Sequence, residues 1–203
     1  MLEEGKYIVI NIRRYLGSDN PQLGENRLLQ VLFGFSCPKN PDVEHFLKSN
    51  SIEFTKKNQS VTYLVFLSST MELAGYFTLA LKPLTIKGEN ISNTVKRKLL
   101  RVSELDEPSQ TYMMSAYLIA QLGKNFSNGV ETKVTGAELL ELAWSEIEKM
   151  QYMGGGMVTF LEADNKEKLL SFYQTNRFQP FDTRQTSTGT EGSHELVQLL
   201  RLL

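Results

Sequence analysis

Between Ser115 and Phe181 the chain reads SAYLIAQLGKN, TGAELLELAWSEIEKM, MVTFLEA and KEKLLSFYQTNRF, in that order strand, helix, strand, helix. Two kinds of element alternating within one stretch place the chain in the α/β (α+β) class. The first helix is the best marked. Thr135 is a good N-cap, Glu138 three residues later completes a capping-box pattern, and Leu139, Leu140, Ala143, Trp144 and Ile147 then repeat at helical spacing. A helix start can also hold anions, because its first N–H groups have no partner inside the helix and the dipole favours negative charge. Thr135, Gly136 and Ala137 lie at such a start. Ahead of the second helix Asp164 and Glu167 make a cap pair, while Leu169, Leu170 and Tyr173 sit on neighbouring faces.

Elsewhere KYIVINIRR reads as an opening strand, followed by a polar connection at Leu16 to Asn26. Asn40 before Pro41 starts a helix whose apolar side carries Val43, Phe46 and Leu47. VTYLVFL and ELAGYFTLALKPLTI are adjacent strands around the polar turn Ser68 to Glu72, and Lys87 to Pro108 is a charged insertion containing VKRKLLRV. The terminal ELVQLLRLL closes the sheet as a strand or forms a short helix, since periodicity permits both.

A chain of 203 residues with 41% hydrophobic content can bury a substantial core, and one domain spanning 1–203 is expected. Its net charge of −1 carries no global footprint of a nucleic-acid binder, so any such contact must be local. Lys96, Arg97, Lys98 and Arg101 form the best basic patch, which is either a solvated face or a phosphate contact. One cysteine, Cys37, excludes an internal disulfide framework, and no Cys/His cluster has structural-zinc spacing. MLEEGKY is not a signal peptide and no apolar run approaches membrane-spanning length, so a reducing cytoplasm without membrane association is the expected setting.

The order from Ser115 to Phe181 resembles the acetyl-CoA-binding half of GNAT acetyltransferases. AQLGKN at Ala120 to Asn125 is similar to the A-R-L-A-x-D end of the coenzyme-binding strand in one branch of that family, and LEADNKEKLLSFYQTNRF is similar to the ending that carries F-Y-E-x-x-G-F. The resemblance implies the GNAT fold, a single mixed and mostly antiparallel sheet flanked by helices. It also implies a cofactor, acetyl-CoA, held by Leu122, Gly123 and Lys124 on the strand, by Lys133, Val134, Thr135, Gly136 and Ala137 at the phosphate loop and helix start, and by Asn165. Tyr173 falls at the position of the family's general acid, and no metal is implied. Two departures stand out. Val134 replaces the earlier glycine of the phosphate loop, with no arginine before it, and Arg177 stands where the F-Y-x-x-x-G-F ending has glycine.

In the N-terminal half FSCPKNPDVEHFLKSNS, KKNQSVTYLVFL and AGYFTLAL resemble the F-x-C-x-x-P-x-L-x-x-F-L, T-Y-V and G-Y-Y-T-L series of GNAT toxins from toxin–antitoxin pairs, and so does VKRKLLRV. What this branch implies is acetyl transfer to the amino group of aminoacyl-tRNA, with Lys96, Arg97, Lys98 and Arg101 on the acceptor and an antitoxin protein as partner. A homodimer stays open. So do two other functions: a metabolic or protein N-acetyltransferase, and a non-catalytic acyl-CoA-binding module. Phe35 and Cys37 are expected in the core. Glu162, at a strand end, is a candidate general base.

Overall fold

The computed structural model describes residues 5–17, 23–186 and 194–203. Its elements in chain order begin with β1 (Tyr7–Asn11), α1 (Arg13–Leu16), α2 (Glu25–Phe33), α3 (Pro41–His45), α4 (Ser51–Lys56), β2 (Val61–Leu67) and β3 (Leu73–Lys87). They continue with α5 (Asn93–Leu99), β4 (Glu104–Asp106), β5 (Thr111–Lys124), α6 (Gly136–Gly154), β6 (Val158–Asp164), α7 (Glu167–Thr175), β7 (Gln179–Thr186) and β8 (His194–Leu202). Part of the polar connection expected at Leu16 to Asn26, and most of MLEEGKY, lie outside the described residues.

The strands hydrogen-bond in the order β1-β2-β3-β5-β6-β8-β7, with β4 on β5. Only β5 and β6 are parallel among the registered pairs; β1/β2, β2/β3, β4/β5, β6/β8 and β7/β8 are antiparallel. A parallel pair needs a crossover, and α6 supplies it. The sheet is therefore mixed and mostly antiparallel, with helices against it, as the sequence led us to expect. The terminal ELVQLLRLL settles as strand β8, between β6 and β7, where a residue-by-residue ladder on both edges satisfies its backbone.

The chain divides into two compact units. One takes in the described residues up to Ala80 with Ala120–Glu146. Its core gathers Leu28 and Leu32 of α2, Val43 and Leu47, Leu64 of β2 and Tyr76 of β3, with Phe35 and Cys37 buried among them as expected. The Asn40 side chain accepts from Val43 N–H at 3.2 Å, so the predicted helix start is built as a capped α3. Residues Leu73–Ala80 of β3 are all buried, which a strand tolerates only when both its faces are covered.

The second unit takes in Leu81–Ile119 with Ile147–Leu203. Leu84, Ile86, Leu99, Tyr112, Phe160 and Leu200 belong to its core. Within it β3 turns to alternating burial, with Leu84 and Ile86 inward and Lys82, Thr85 and Lys87 outward. The charged insertion forms α5, capped by Ser92, whose hydroxyl accepts from Val95 N–H at 3.3 Å. Leu99 anchors that helix in the core and leaves its basic residues outside.

Candidate functional site

In the first unit the predicted capping box is built in full. Thr135 Oγ1 accepts from Glu138 N–H at 3.1 Å, while the Glu138 carboxylate accepts from Thr135 N–H at 2.7 Å and from its hydroxyl at 2.8 Å. The box leaves Gly136 N–H and Ala137 N–H at the first turn of α6 without an intramolecular acceptor among the described residues, and both residues reach solvent. Leu139 fixes the helix on the sheet: it is fully buried, and a side chain on Gly75 of β3 would meet it at 2.8 Å.

An ion pair that local pattern could not reveal completes this corner. Lys6 Nζ lies 2.7 Å from the Glu138 carboxylate, across 132 residues of chain. Burial of Glu138 opposes ionisation, but the hydrogen bonds from Lys6 and Thr135 outweigh it and hold the carboxyl at about 2. Lys133, expected at the phosphate loop, is itself held by Glu72 at 2.7 Å. The anion-holding capacity of the corner therefore rests on backbone N–H groups more than on free side-chain charge. Val134 lies in the short connection just before α6. Its side chain is buried, and the segment before it is wound into a 3-10 turn at Ser127–Thr132.

The strand leading into this corner has its own logic. The β5/β6 ladder consists of Tyr117 with Thr159 and Leu118 with Phe160. Beyond Leu118, the stretch carrying Leu122, Gly123 and Lys124 has no registered partner in β6, so that edge offers backbone donors and acceptors. Gly123 is buried, and a Cβ there would lie 2.5 Å from Val43 Cγ1, 2.9 Å from Tyr76 Cε1 and 3.3 Å from Phe35 Cζ. The room that glycine leaves is filled by the protein's own core. Lys124 Nζ donates to the Glu131 carbonyl at 2.7 Å. Asn125, buried at the strand's end, accepts from Ser36 N–H at 2.9 Å and donates to the Leu73 carbonyl at 2.8 Å, tying the strand to two other segments.

Tyr173 belongs to the second unit, near the end of α7. That helix closes as a Schellman motif: Phe178 N–H donates to the Tyr173 carbonyl at 3.0 Å and Arg177 N–H to the Gln174 carbonyl at 2.9 Å. The accompanying apolar contact is the Tyr173 ring edge-on to Phe178, 6.0 Å between centroids. Arg177 thus occupies the C′ position, in left-handed backbone at φ 69°. Burial of Tyr173 pushes its phenol up to about 12, so the hydroxyl keeps its proton throughout the neutral range. No hydrogen-bond partner for that hydroxyl occurs among the described residues.

The start of α7 departs from expectation. The Asp164–Glu167 cap pair does not form, because Asp164 stays in β6 opposite Leu196 and its carboxylate pairs with Lys166 at 2.9 Å; Lys166 is the N-cap, with no side-chain cap bond. Asn165 donates to Glu195 of β8 at 3.1 Å. Glu162 accepts from Gln198 at 2.8 Å and pairs with Arg184 at 2.8 Å, so a free general base is not found there. Lys96, Arg97, Lys98 and Arg101 lie on and just after α5 with no ion pair among the described residues. The structure thus groups eight of the expected cofactor residues, Leu122 to Lys124 and Lys133 to Ala137, in the first unit, and places Asn165, Tyr173 and the basic patch in the second.

No protein-family model matches the chain, and no curated protein matches it. Solved structures do. AtaT complexed with acetyl-methionyl-tRNAfMet has a TM-score of 0.62 at 15% identity, over 94% of this chain and 93% of that one. A tyrosine-to-phenylalanine mutant of KacT gives 0.61 at 18% identity, over 97% and 95%. A mutant AtaT toxin bound to the C-terminus of the antitoxin AtaR and acetyl-CoA gives 0.56 at 14% identity, over 97% and 92%. Likeness at this level of identity is likeness of fold, and the chain has the GNAT fold of these toxins.

Proposed function

We propose that the chain is an N-acetyltransferase that moves acetyl from acetyl-CoA to a primary amine, and that the amine is the α-amino group of an aminoacyl-tRNA. The observation that carries this is the first turn of α6: two solvent-reaching N–H donors, Gly136 and Ala137, behind an intact capping box, in the same unit as a strand edge that β6 leaves unpaired. Those groups fit a ligand with a pyrophosphate and an amide-bearing arm. Gly136 and Ala137 would bind the pyrophosphate, and the backbone of Leu122, Gly123 and Lys124 the arm. Bound acetyl-CoA supplies an activated thioester.

The remaining chemistry asks for a proton donor. Tyr173 Oη carries its proton throughout the neutral range and so has one to give to a departing sulfur, although the burial that raises it also makes it a weaker acid. An α-amino group esterified at its carboxyl is a weak base, so a large neutral fraction exists without a dedicated carboxylate, in keeping with Glu162 being committed to Arg184. The choice of aminoacyl-tRNA is supported by the fold shared along nearly the whole chain with AtaT in its complex with acetyl-methionyl-tRNAfMet, and by the cations of α5, which have no ion pair among the described residues. An antitoxin partner belongs to the same proposal, since AtaT is also seen with the C-terminus of AtaR. Incubation with labelled acetyl-CoA and separate pools of charged tRNA, polyamines and peptides tests it. Label on charged tRNA is expected; label confined to polyamines or peptides would overturn the acceptor, and no label despite tight acetyl-CoA binding would make the chain a sensing module.

A further inference from the structure

In the second unit, α5, the residues just after α7 and β8 line an open cavity of about 330 Å³. Three cations line it, Lys98, Arg177 and Arg201, beside the hydroxyl residues Ser92 and Thr94, and no carboxylate does. That volume is at the lower end of the roughly 300–1,000 Å³ typical of small-ligand sites. Arg201 donates to the Asn176 carbonyl at 3.5 Å, whereas Lys98 and Arg177 have no ion-pair partner among the described residues. Val95, Leu200 and Leu202 give the cavity an apolar side.

Arg177 is the informative member. It sits at the C′ position of α7 with φ 69°, a conformation that glycine adopts freely and a β-carbon disfavours. An arginine there costs stability that glycine would not, and such strain is offset where the side chain makes a contact of its own. Along the sequence Lys98 stands in a basic run and Arg177 where the resemblance has glycine, and nothing in one dimension joins them to Arg201.

We infer that Lys98, Arg177 and Arg201 form a subsite for one backbone phosphate of the acceptor RNA, with the apolar wall against the adjoining ribose or base. The inference rests on the aminoacyl-tRNA acceptor proposed above. Guanidinium groups match phosphate in a bidentate way and lysine adds a point charge, and with no carboxylate in the cavity lining among the described residues Lys98 and Arg177 are left to be neutralised by the ligand. Each phosphate so neutralised releases counterions and contributes to the salt dependence of binding.

The test measures binding of fluorescently labelled tRNA over a salt series for wild type, Arg177→Gly, Lys98→Ala and the control Lys82→Gln, an exposed cation outside the cavity. Arg177→Gly should raise Kd about tenfold and lower the salt slope by about one. Its melting temperature should equal or exceed that of wild type, which separates lost contact from lost fold. Lys98→Ala should act in the same direction and Lys82→Gln should not. Wild-type binding with unchanged affinity and slope in both cavity variants overturns the subsite and leaves the acceptor standing. Failure of wild type to bind tRNA at all overturns both.

Discussion

Gly123→Ala adds one carbon at the most crowded point of the first unit. The new Cβ would fall 2.5 Å from Val43 Cγ1 and 2.9 Å from Tyr76 Cε1, both far inside contact distance, with Phe35 Cζ next at 3.3 Å. None of the three can retreat easily. Tyr76 is fully buried and its hydroxyl donates to the Val43 carbonyl at 2.6 Å; Phe35 packs edge-on to Tyr76 with 5.2 Å between centroids. Overpacking a well-filled core costs about 1–3 kcal/mol, and two simultaneous overlaps put this case at the upper end. For a chain of this length about 2–3 kcal/mol lowers the melting temperature by roughly 5–10 °C. Thermal unfolding without any ligand is the assay, followed by a cycle with Val43→Ala, which removes the nearest atom but keeps the carbonyl that Tyr76 needs. In the Gly123→Ala background Val43→Ala should cost much less than it does alone. A Gly123→Ala variant as stable as wild type, or strictly additive costs in the cycle, would refute the packing account and return Gly123 to a purely ligand-facing role.

Gly136→Glu should abolish acetyl-CoA binding in calorimetry while the protein stays folded, because an anion in a helix's first turn suits the helix but excludes phosphate; unchanged affinity would move the pyrophosphate elsewhere. Tyr173→Phe keeps the ring contact with Phe178 and should cut turnover by roughly 10²–10⁴-fold with little change in acetyl-CoA affinity, and full activity where chemistry limits the rate would make Tyr173 a core residue only. The Glu138 carboxyl titrates at about 2 in the folded chain, below its unfolded value, so its bridge to Lys6 contributes in full at neutral pH and is lost as pH falls toward 2. Glu138→Gln, which can still serve the capping box, should therefore lower stability by about 1 kcal/mol in denaturant titrations at pH 7 and by much less near pH 2; an equal deficit at both would assign the loss to the cap. Glu72→Gln should free Lys133 and tighten acetyl-CoA binding, with weaker binding arguing that the pair positions the loop.

Signals confined to a few residues were legible in the sequence. Thr135 with Glu138 and Asn40 before Pro41 act over three or four residues, and the structure builds both caps. The strand–helix order from Ser115 was legible for the same reason, since burial follows local periodicity. Long-range pairing was not. Nothing near Glu138 announces Lys6, nothing near Lys133 announces Glu72, and these pairs set the charge at the start of α6. Asp164 and Glu167 had the spacing of a cap pair, but the β6 ladder with β8 runs through Asp164 and keeps it extended. Gly123 was expected only as part of the cofactor-binding strand, because a sequence does not show which side chains converge on a glycine. The ambiguous terminal segment became β8 because its neighbours on both edges come from elsewhere in the chain.

The most direct measurement is mass spectrometry of the aminoacyl-adenosine released by nuclease from charged tRNA after incubation with acetyl-CoA and the enzyme. Acetyl-CoA-dependent appearance of a species one acetyl heavier, with the added group on the α-nitrogen, and its loss in Tyr173→Phe, is the predicted result. Unmodified aminoacyl-adenosine from every tRNA, under conditions where acetyl-CoA binds and small amines are acetylated, would contradict the account.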